Sequence, residues 1–127
     1  MLKRHFDKLE SLVGRFARYQ RIDHSMAYIF IVAFVRPSIY TKFYTTVYGM
    51  SYTFSEDGNR FNILVKRGVL HLGPTEVDSM KAITQEEFEN VFYTNCDCQM
   101  RFDNFFDRAL TDYENIYSNN PLNDNKQ

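Results

Sequence analysis

The sequence predicts an α+β fold: an antiparallel β-meander of about four strands, with an N-terminal amphipathic helix and a C-terminal helical pair. Three observations lead there. Met26-Ala-Tyr-Ile-Phe-Ile-Val-Ala-Phe-Val35 carries no charge, and its β-branched and aromatic content suits a buried strand. Asp57-Gly58 suits a two-residue type I′ hairpin turn, because both positions tolerate positive φ. Apolar residues at helical spacing mark the chain before residue 20 and after Thr84.

Taken in order, residues 2–20 place Leu2, Phe6, Leu9, Val13 and Phe16 on one helical face, with Arg4, Lys8, Arg15 and Arg18 about 200° away. This predicts an amphipathic helix with a basic back. The uncharged run follows as the central strand, and Arg36-Pro37-Ser38 reads as a reversing turn. The next strand then pairs Ile31 with Phe43, Ile29 with Thr45 and Ala27 with Val47 on one face. On the other it pairs Phe34 with Tyr40, Phe30 with Tyr44 and Met26 with Tyr48. Apolar parity switches across Gly49, which predicts a β-bulge there.

The hairpin register sets Phe54 opposite Phe61, Tyr52 opposite Ile63 and Met50 opposite Val65, giving one apolar and one mostly polar face. A second tight turn near Arg67-Gly68 would extend the apolar face with Leu70 and Leu72. A competing parse lets Ser38 cap a short helix closed by Gly49, since residues 39, 40, 43, 44 and 47 also fit helical spacing. Three N-terminal helices followed by a hairpin would resemble a winged-helix layout.

After a loop at Gly73-Pro74, Thr84-Gln-Glu-Glu87 forms a capping-box pattern that starts a helix. Apolar spacing continues to Tyr117, with a break around 95–99. The expected organisation is one globular domain over residues 1–117 and a disordered polar tail over 118–127.

The chain has 127 residues with 12 Phe, 9 Tyr and no Trp, an aromatic excess that needs a location. Its net charge is −1, but residues 1–72 carry 11 Lys/Arg against 5 Asp/Glu, and residues 73–127 carry 4 against 11. Such separation bears on association more than on fold. A spanning helix needs roughly 20 apolar residues, about twice the uncharged run, so no membrane segment is expected. Charged residues up to Asp23 and the lack of a cleavage pattern argue against a signal peptide. The expected location is cytoplasmic, which the close pair Cys96 and Cys98 fits.

Catalytic patterns are missing. The five glycines are scattered, so no phosphate-cradling loop forms, and there is no Gly-x-Ser-x-Gly elbow. Cys96-Asp97-Cys98, with His71 and His24 distant, lacks the spacing of a zinc site and reads as two packed thiols. Glu76-Val-Asp78 with Lys81 has a spacing common by chance in loops. No metal, no cofactor and no enzymatic activity are expected.

Two surfaces remain. Tyr28, Phe30, Phe34, Tyr40, Tyr44 and Tyr48 line the sheet side opposite the aliphatic core, either covered by the C-terminal helices or open to a partner. The charged set comprises Arg4, Lys8, Arg15 and Arg18, with Glu86, Glu87, Glu89, Asp103 and Asp107 at the acidic end. The expected function is a small non-catalytic interaction protein, a regulator or inhibitor of another macromolecule, with homodimerisation compatible with the two-ended charge. The alternative is nucleic-acid binding through the basic helix and hairpin, at the cost of an acidic half that repels phosphate.

Overall fold

The computed structural model describes residues 1–37, 43–57, 60–95, 107–108 and 111–115, of which 55–57, 60–64 and 95 are described by their backbone. The elements are helix α1 (Lys3–Ser11), strands β1 (Phe16–Gln20), β2 (Met26–Phe34), β3 (Thr45–Asp57) and β4 (Arg60–Leu72), helix α2 (Pro74–Ser79), strand β5 (Lys81–Ile83) and helix α3 (Gln85–Asn95). Residues 111–115 are again helical. The strands form one antiparallel sheet in the order β4-β3-β2-β1-β5. The first four make a meander, and α2 carries the chain back so that β5 joins beside β1.

The uncharged run is the middle strand, as its composition required. Ile29, Phe30, Ile31 and Val32 are all buried, and alternation along a strand sends neighbours to opposite faces. Both faces of the sheet therefore need cover. On one face Ala27, Ile29 and Ile31 meet Leu9 and Leu12 from α1 and its end, and Val77 and Met80 from α2 and its end. On the other, Tyr52 meets Phe88 and Phe92 of α3, while Phe30, Val32 and Met50 pack beside Tyr113. At about 1.5–3 kcal/mol for each large apolar side chain taken out of water, both layers contribute substantially to holding the sheet.

Local chemistry sets the helix boundaries. The spacing of Leu12, Val13 and Phe16 predicted a helix to residue 20, but α1 stops at Ser11 and the chain turns into a strand. Gly14 sits at φ +77°, a conformation that ends a helix with little penalty for glycine alone. Its N–H donates to the Ile31 carbonyl at 2.7 Å, which delivers Arg15 and then β1 to the edge of β2. Phe16 and Arg18 then share one face, with Ala17 and Tyr19 on the other. Helix α2 occupies what read as a loop: Pro74 begins it and the Glu76 carboxylate accepts from the Gly73 N–H at 3.1 Å. The cap before α3 falls where the sequence placed it, with the Glu87 N–H donating to the Thr84 hydroxyl oxygen at 3.0 Å.

Several registers differ from expectation. β2 pairs with β3 as Ala27↔Thr53 and Phe34↔Val47, so the turn at Pro37 does not return the chain directly and ten residues, 35–44, separate the strands. The bulge lies on β2 rather than at Gly49: the register shifts between Ile31 and Ala33, leaving Val32 as the extra residue. Phe34 is thereby moved to the face opposite Phe30, where its ring stacks on Phe6 at 6.1 Å. β3 runs straight through Gly49, its parity switching from Val47 to Met50 because both faces are covered. In the hairpin the faces are as expected, but Phe54 pairs with Ile63 and Tyr52 with Val65, and the closing pair is Asp57↔Arg60. Gly58 lies outside the described residues. No turn forms at Arg67-Gly68; β4 continues to Leu72, with Gly68 at φ +127° opposite Gly49.

The helical parse of residues 38–48 fails over Thr45–Tyr48, which are strand; residues 38–42, including Tyr40, lie outside the described residues. So do Cys96, Cys98, Asp103 and the tail over 118–127.

Two glycines separate space from strain. A Cβ at Gly49 would stand 2.3 Å from the Phe30 carbonyl oxygen, a backbone atom that moves only if β2 and β3 part. Gly49→Ala is expected to cost about 3 kcal/mol by overpacking. A Cβ at Gly68 meets nothing within 4 Å, but φ +127° is strained for any L side chain, so Gly68→Ala should cost about 1–2 kcal/mol. Denaturant melts of the two variants test this, and an unchanged Gly49→Ala midpoint would contradict the close β2–β3 approach.

Candidate interaction surface

The structure divides the predicted aromatic face. Phe30 is buried, and Tyr28 is half-buried with its ring stacked on Tyr52 at 5.1 Å. Tyr52 is itself enclosed, contacting Phe88 and Phe92 at 4.9 and 5.3 Å, and its hydroxyl donates to the Phe88 carbonyl at 2.5 Å. Burial pushes that hydroxyl's pKa far above the usual tyrosine value. This part of the face is an interior layer beneath α3. Phe34 is on the other side. Tyr48, half-buried, points its hydroxyl toward Asp112.

Tyr44 is the described member of the set that stands in the open, 54% exposed, with its ring edge-on to His71 at 5.2 Å. His71 in turn faces the Thr46 hydroxyl through Nδ1 at 3.2 Å. Next to Tyr44, Phe43 is 90% exposed and Val35 is 84% exposed. A shallow cleft of about 230 Å³ lies between Val35 and Tyr44, lined also by Ala33, Pro37 and residues 45–48. Val69, which pairs with Tyr48, is 49% exposed and continues the patch onto β4. Sequence reasoning missed Val35, Phe43 and Val69. Val35 read as the end of a buried strand and Phe43 as a core residue, because an incorrect β2–β3 register placed Phe43 against Ile31.

The predicted basic stripe is broken up. Arg4 reaches Asp78 at 3.4 Å, and the Lys8 ammonium donates to the carbonyls of Val77 and Asp78 at 2.8 and 3.1 Å, where it complements the negative end of α2. Between them His5 is buried. Its Nδ1 accepts from the Leu2 N–H at 2.9 Å, so the ring proton belongs on Nε2, 3.0 Å from an Asp78 oxygen. Arg15 is exposed in the turn and Arg18 is half-buried on β1. Arg4 and Lys8 are thus engaged with α2, and Lys3 pairs with Asp7 of α1 at 3.5 Å.

The acidic set is also dispersed. Glu86 and Glu87 are exposed in the first turn of α3, where carboxylates favour the positive end of the helix dipole. Glu89 is half-buried and Asp107 exposed. Two arginines make further pairs that were not anticipated. Arg36 holds both Asp7 and Glu10 of α1. Arg67 of β4 binds Asp112 in a fork, with Nε at 2.6 Å and a terminal nitrogen at 2.5 Å. Neither pair lies within one element, so no local spacing announces it.

Among the described residues no group of three or more His, Cys, Asp or Glu is placed to hold a metal ion, and no helix is long and apolar enough to cross a membrane. Glu76 caps α2 and Asp78 pairs with α1, so the acidic pair with Lys81 has structural roles.

The ion pairs make stability depend on acid. Asp7, Asp78 and Asp112 are held below the ordinary value of 3.8, chiefly by Arg36, His5 and Arg67 respectively. A carboxylate with a lower pKa folded than unfolded stabilises the fold above its unfolded pKa, and that contribution is lost as pH falls through the folded value. The melting temperature should therefore drop as the pH falls through and below the ordinary carboxylate value of 3.8. Asp112→Asn should melt lower at neutral pH and show a flatter acid limb; an acid limb as steep as the parent's would remove the Arg67–Asp112 pair as a contributor. Compared with protein-family models, curated proteins and solved structures, the chain matches none.

Proposed function

We propose that the protein is a small non-catalytic interaction protein, a cytoplasmic regulator or inhibitor that binds a protein partner through the Val35, Phe43, Tyr44 and Val69 cluster. The observation that supports this most is Phe43, a large aromatic side chain left 90% exposed next in the chain to Tyr44, which lines the cleft with Val35. Scattered exposed apolar residues are ordinary, but a contiguous group around a cleft marks a contact site. Phe and Tyr add large contact area at small entropic cost, which is why such residues anchor protein interfaces.

The nucleic-acid alternative has weaker support, since Arg4 and Lys8 are engaged by α2 and Arg67 by Asp112. Fewer free cations leave fewer phosphates to neutralise.

The test is a double variant, Phe43→Ser with Tyr44→Ser. Both side chains are exposed, so stability should change by no more than about 0.5 kcal/mol each. A stoichiometric protein co-purifying from host extract with the parent should be lost from the variant. Equal retention by both proteins, or salt-sensitive capture of RNA or DNA by both, would overturn the reading.

A further inference from the structure

The sheet ends differently on its two sides. Its β5 edge is three residues long, whereas β4 presents thirteen, from Arg60 to Leu72. β3 pairs with β4 along its whole length, Asp57↔Arg60 to Thr45↔Leu72. In an antiparallel strand alternate N–H and C=O groups point to opposite sides, so half of those of β4 face away from β3. Among the described residues no segment pairs with that outer side. A strand edge of this length is a template for another strand, and charges placed along it exclude strands that do not complement them.

The residues on this edge indicate which strand it accepts. Lys66 and Arg67 lie at its middle, both exposed. Arg67 is already neutralised by Asp112, but Lys66 makes no ion pair among the described residues. Lys66 lines a cleft of about 350 Å³ with Arg21, Ser51 and Thr53, on the face away from α3. Glu76 also lines it, so two cations and two hydroxyls face one carboxylate there, and the net positive charge suits a second. On the opposite face the edge offers Val65, half-buried, and Val69, half-exposed.

We infer that the outer edge of β4 docks an extended segment of a partner protein, one alternating acidic and apolar residues, as a sixth strand. The acidic side chains lie over Lys66 and reach the cleft with Arg21; the apolar ones lie against Val65 and Val69. Main-chain hydrogen bonds supply affinity and the alternate side chains supply selection, as in other strand-addition complexes. A second copy of the chain fits this edge poorly. A two-fold axis at the midpoint of β4 sets Lys66 against Lys66, and like charges directly opposite are destabilising. The inference rests on the reading of the protein as an interaction protein; it shares Val69 with the exposed cluster but does not use Phe43 or Tyr44.

The probe is a short, capped, fluorescein-labelled peptide alternating Glu and Val, compared with its Lys/Val counterpart and with a backbone N-methylated Glu/Val version. Fluorescence polarisation should show binding of the Glu/Val peptide, with the other two weaker by about tenfold or more. Amide hydrogen exchange should show added protection at alternate residues of β4, the set directed away from β3. Lys66→Glu should weaken binding about tenfold and Lys66→Gln by less, both with unchanged melting. The Phe43→Ser, Tyr44→Ser variant should bind the peptide normally, so loss of the native partner in that variant is distinguishable from loss of edge docking. Binding without β4 protection, binding indifferent to Lys66→Glu, or a parent dimer whose outer β4 amides are already protected would each overturn the inference.

Discussion

Everything in this structure depends on a strand that is apolar on both sides. Ile29 and Ile31 point one way, Phe30 and Val32 the other, and all four are buried. A two-layer arrangement would leave one of those faces in water. Helices α1 and α2 cover the aliphatic face; α3 and the helical residues 111–115 cover the aromatic one. Among the described residues the aromatic side chains gather mainly in this second layer, where Tyr52 is surrounded by Tyr28, Phe54, Phe88 and Phe92. Offset and edge-on rings suit such a layer, and the one polar atom that Tyr52 brings in is satisfied by a helix carbonyl.

What could be read in advance was what local chemistry decides. The parity of Met50, Tyr52 and Phe54 follows from side-chain alternation and holds. So does the start of α3, because the Thr84 hydroxyl satisfies an amide three residues away. What could not be read was long-range pairing. A strand buried on both faces has no polar side to reveal its register, so Ala27 was as acceptable against Val47 as against its true partner Thr53. The bulge at Val32 is equally silent in sequence, and it alone moves Phe34 from the aromatic to the aliphatic face. The end of α1 was obscured because Leu12, Val13 and Phe16 fit helical spacing while Phe16 to Tyr19 also fit a strand; Gly14 decided between them. For the candidate surface, Tyr44 was legible as an exposed aromatic, but Phe43 and Val35 required the β2–β3 register before their exposure made sense.

Electrostatics shows a similar division between composition and contact. The uneven charge along the chain suggested a basic half facing an acidic one. Within the structure the opposite charges meet in small separate groups: α1 with α2 through Arg4, Lys8 and Asp78, the β2–β3 connection with α1 through Arg36, and β4 with the C-terminal helical residues through Arg67 and Asp112. Each group ties a helix to an adjoining element. Exposed pairs contribute little individually, but they fix which helix lies against which part of the sheet and leave Lys66 without an ion pair among the described residues.

The position of the exposed apolar cluster follows from strand length. β1 meets β2 from Phe16↔Phe30 to Gln20↔Met26, whereas β2 continues to Phe34 and β3 and β4 reach Thr45 and Leu72. Beyond Ile31 the sheet is three strands wide. Val35, Phe43 and Tyr44 lie past the last β2–β3 pair, Phe34↔Val47, where the sheet itself can no longer bury them. Val69 lies on the strand that borders this narrow end, on the same face as Tyr48. The long hairpin that extends past its neighbours thus accounts for two features by one cause: an apolar end with little sheet behind it, and an edge whose backbone groups have no strand beside them among the described residues.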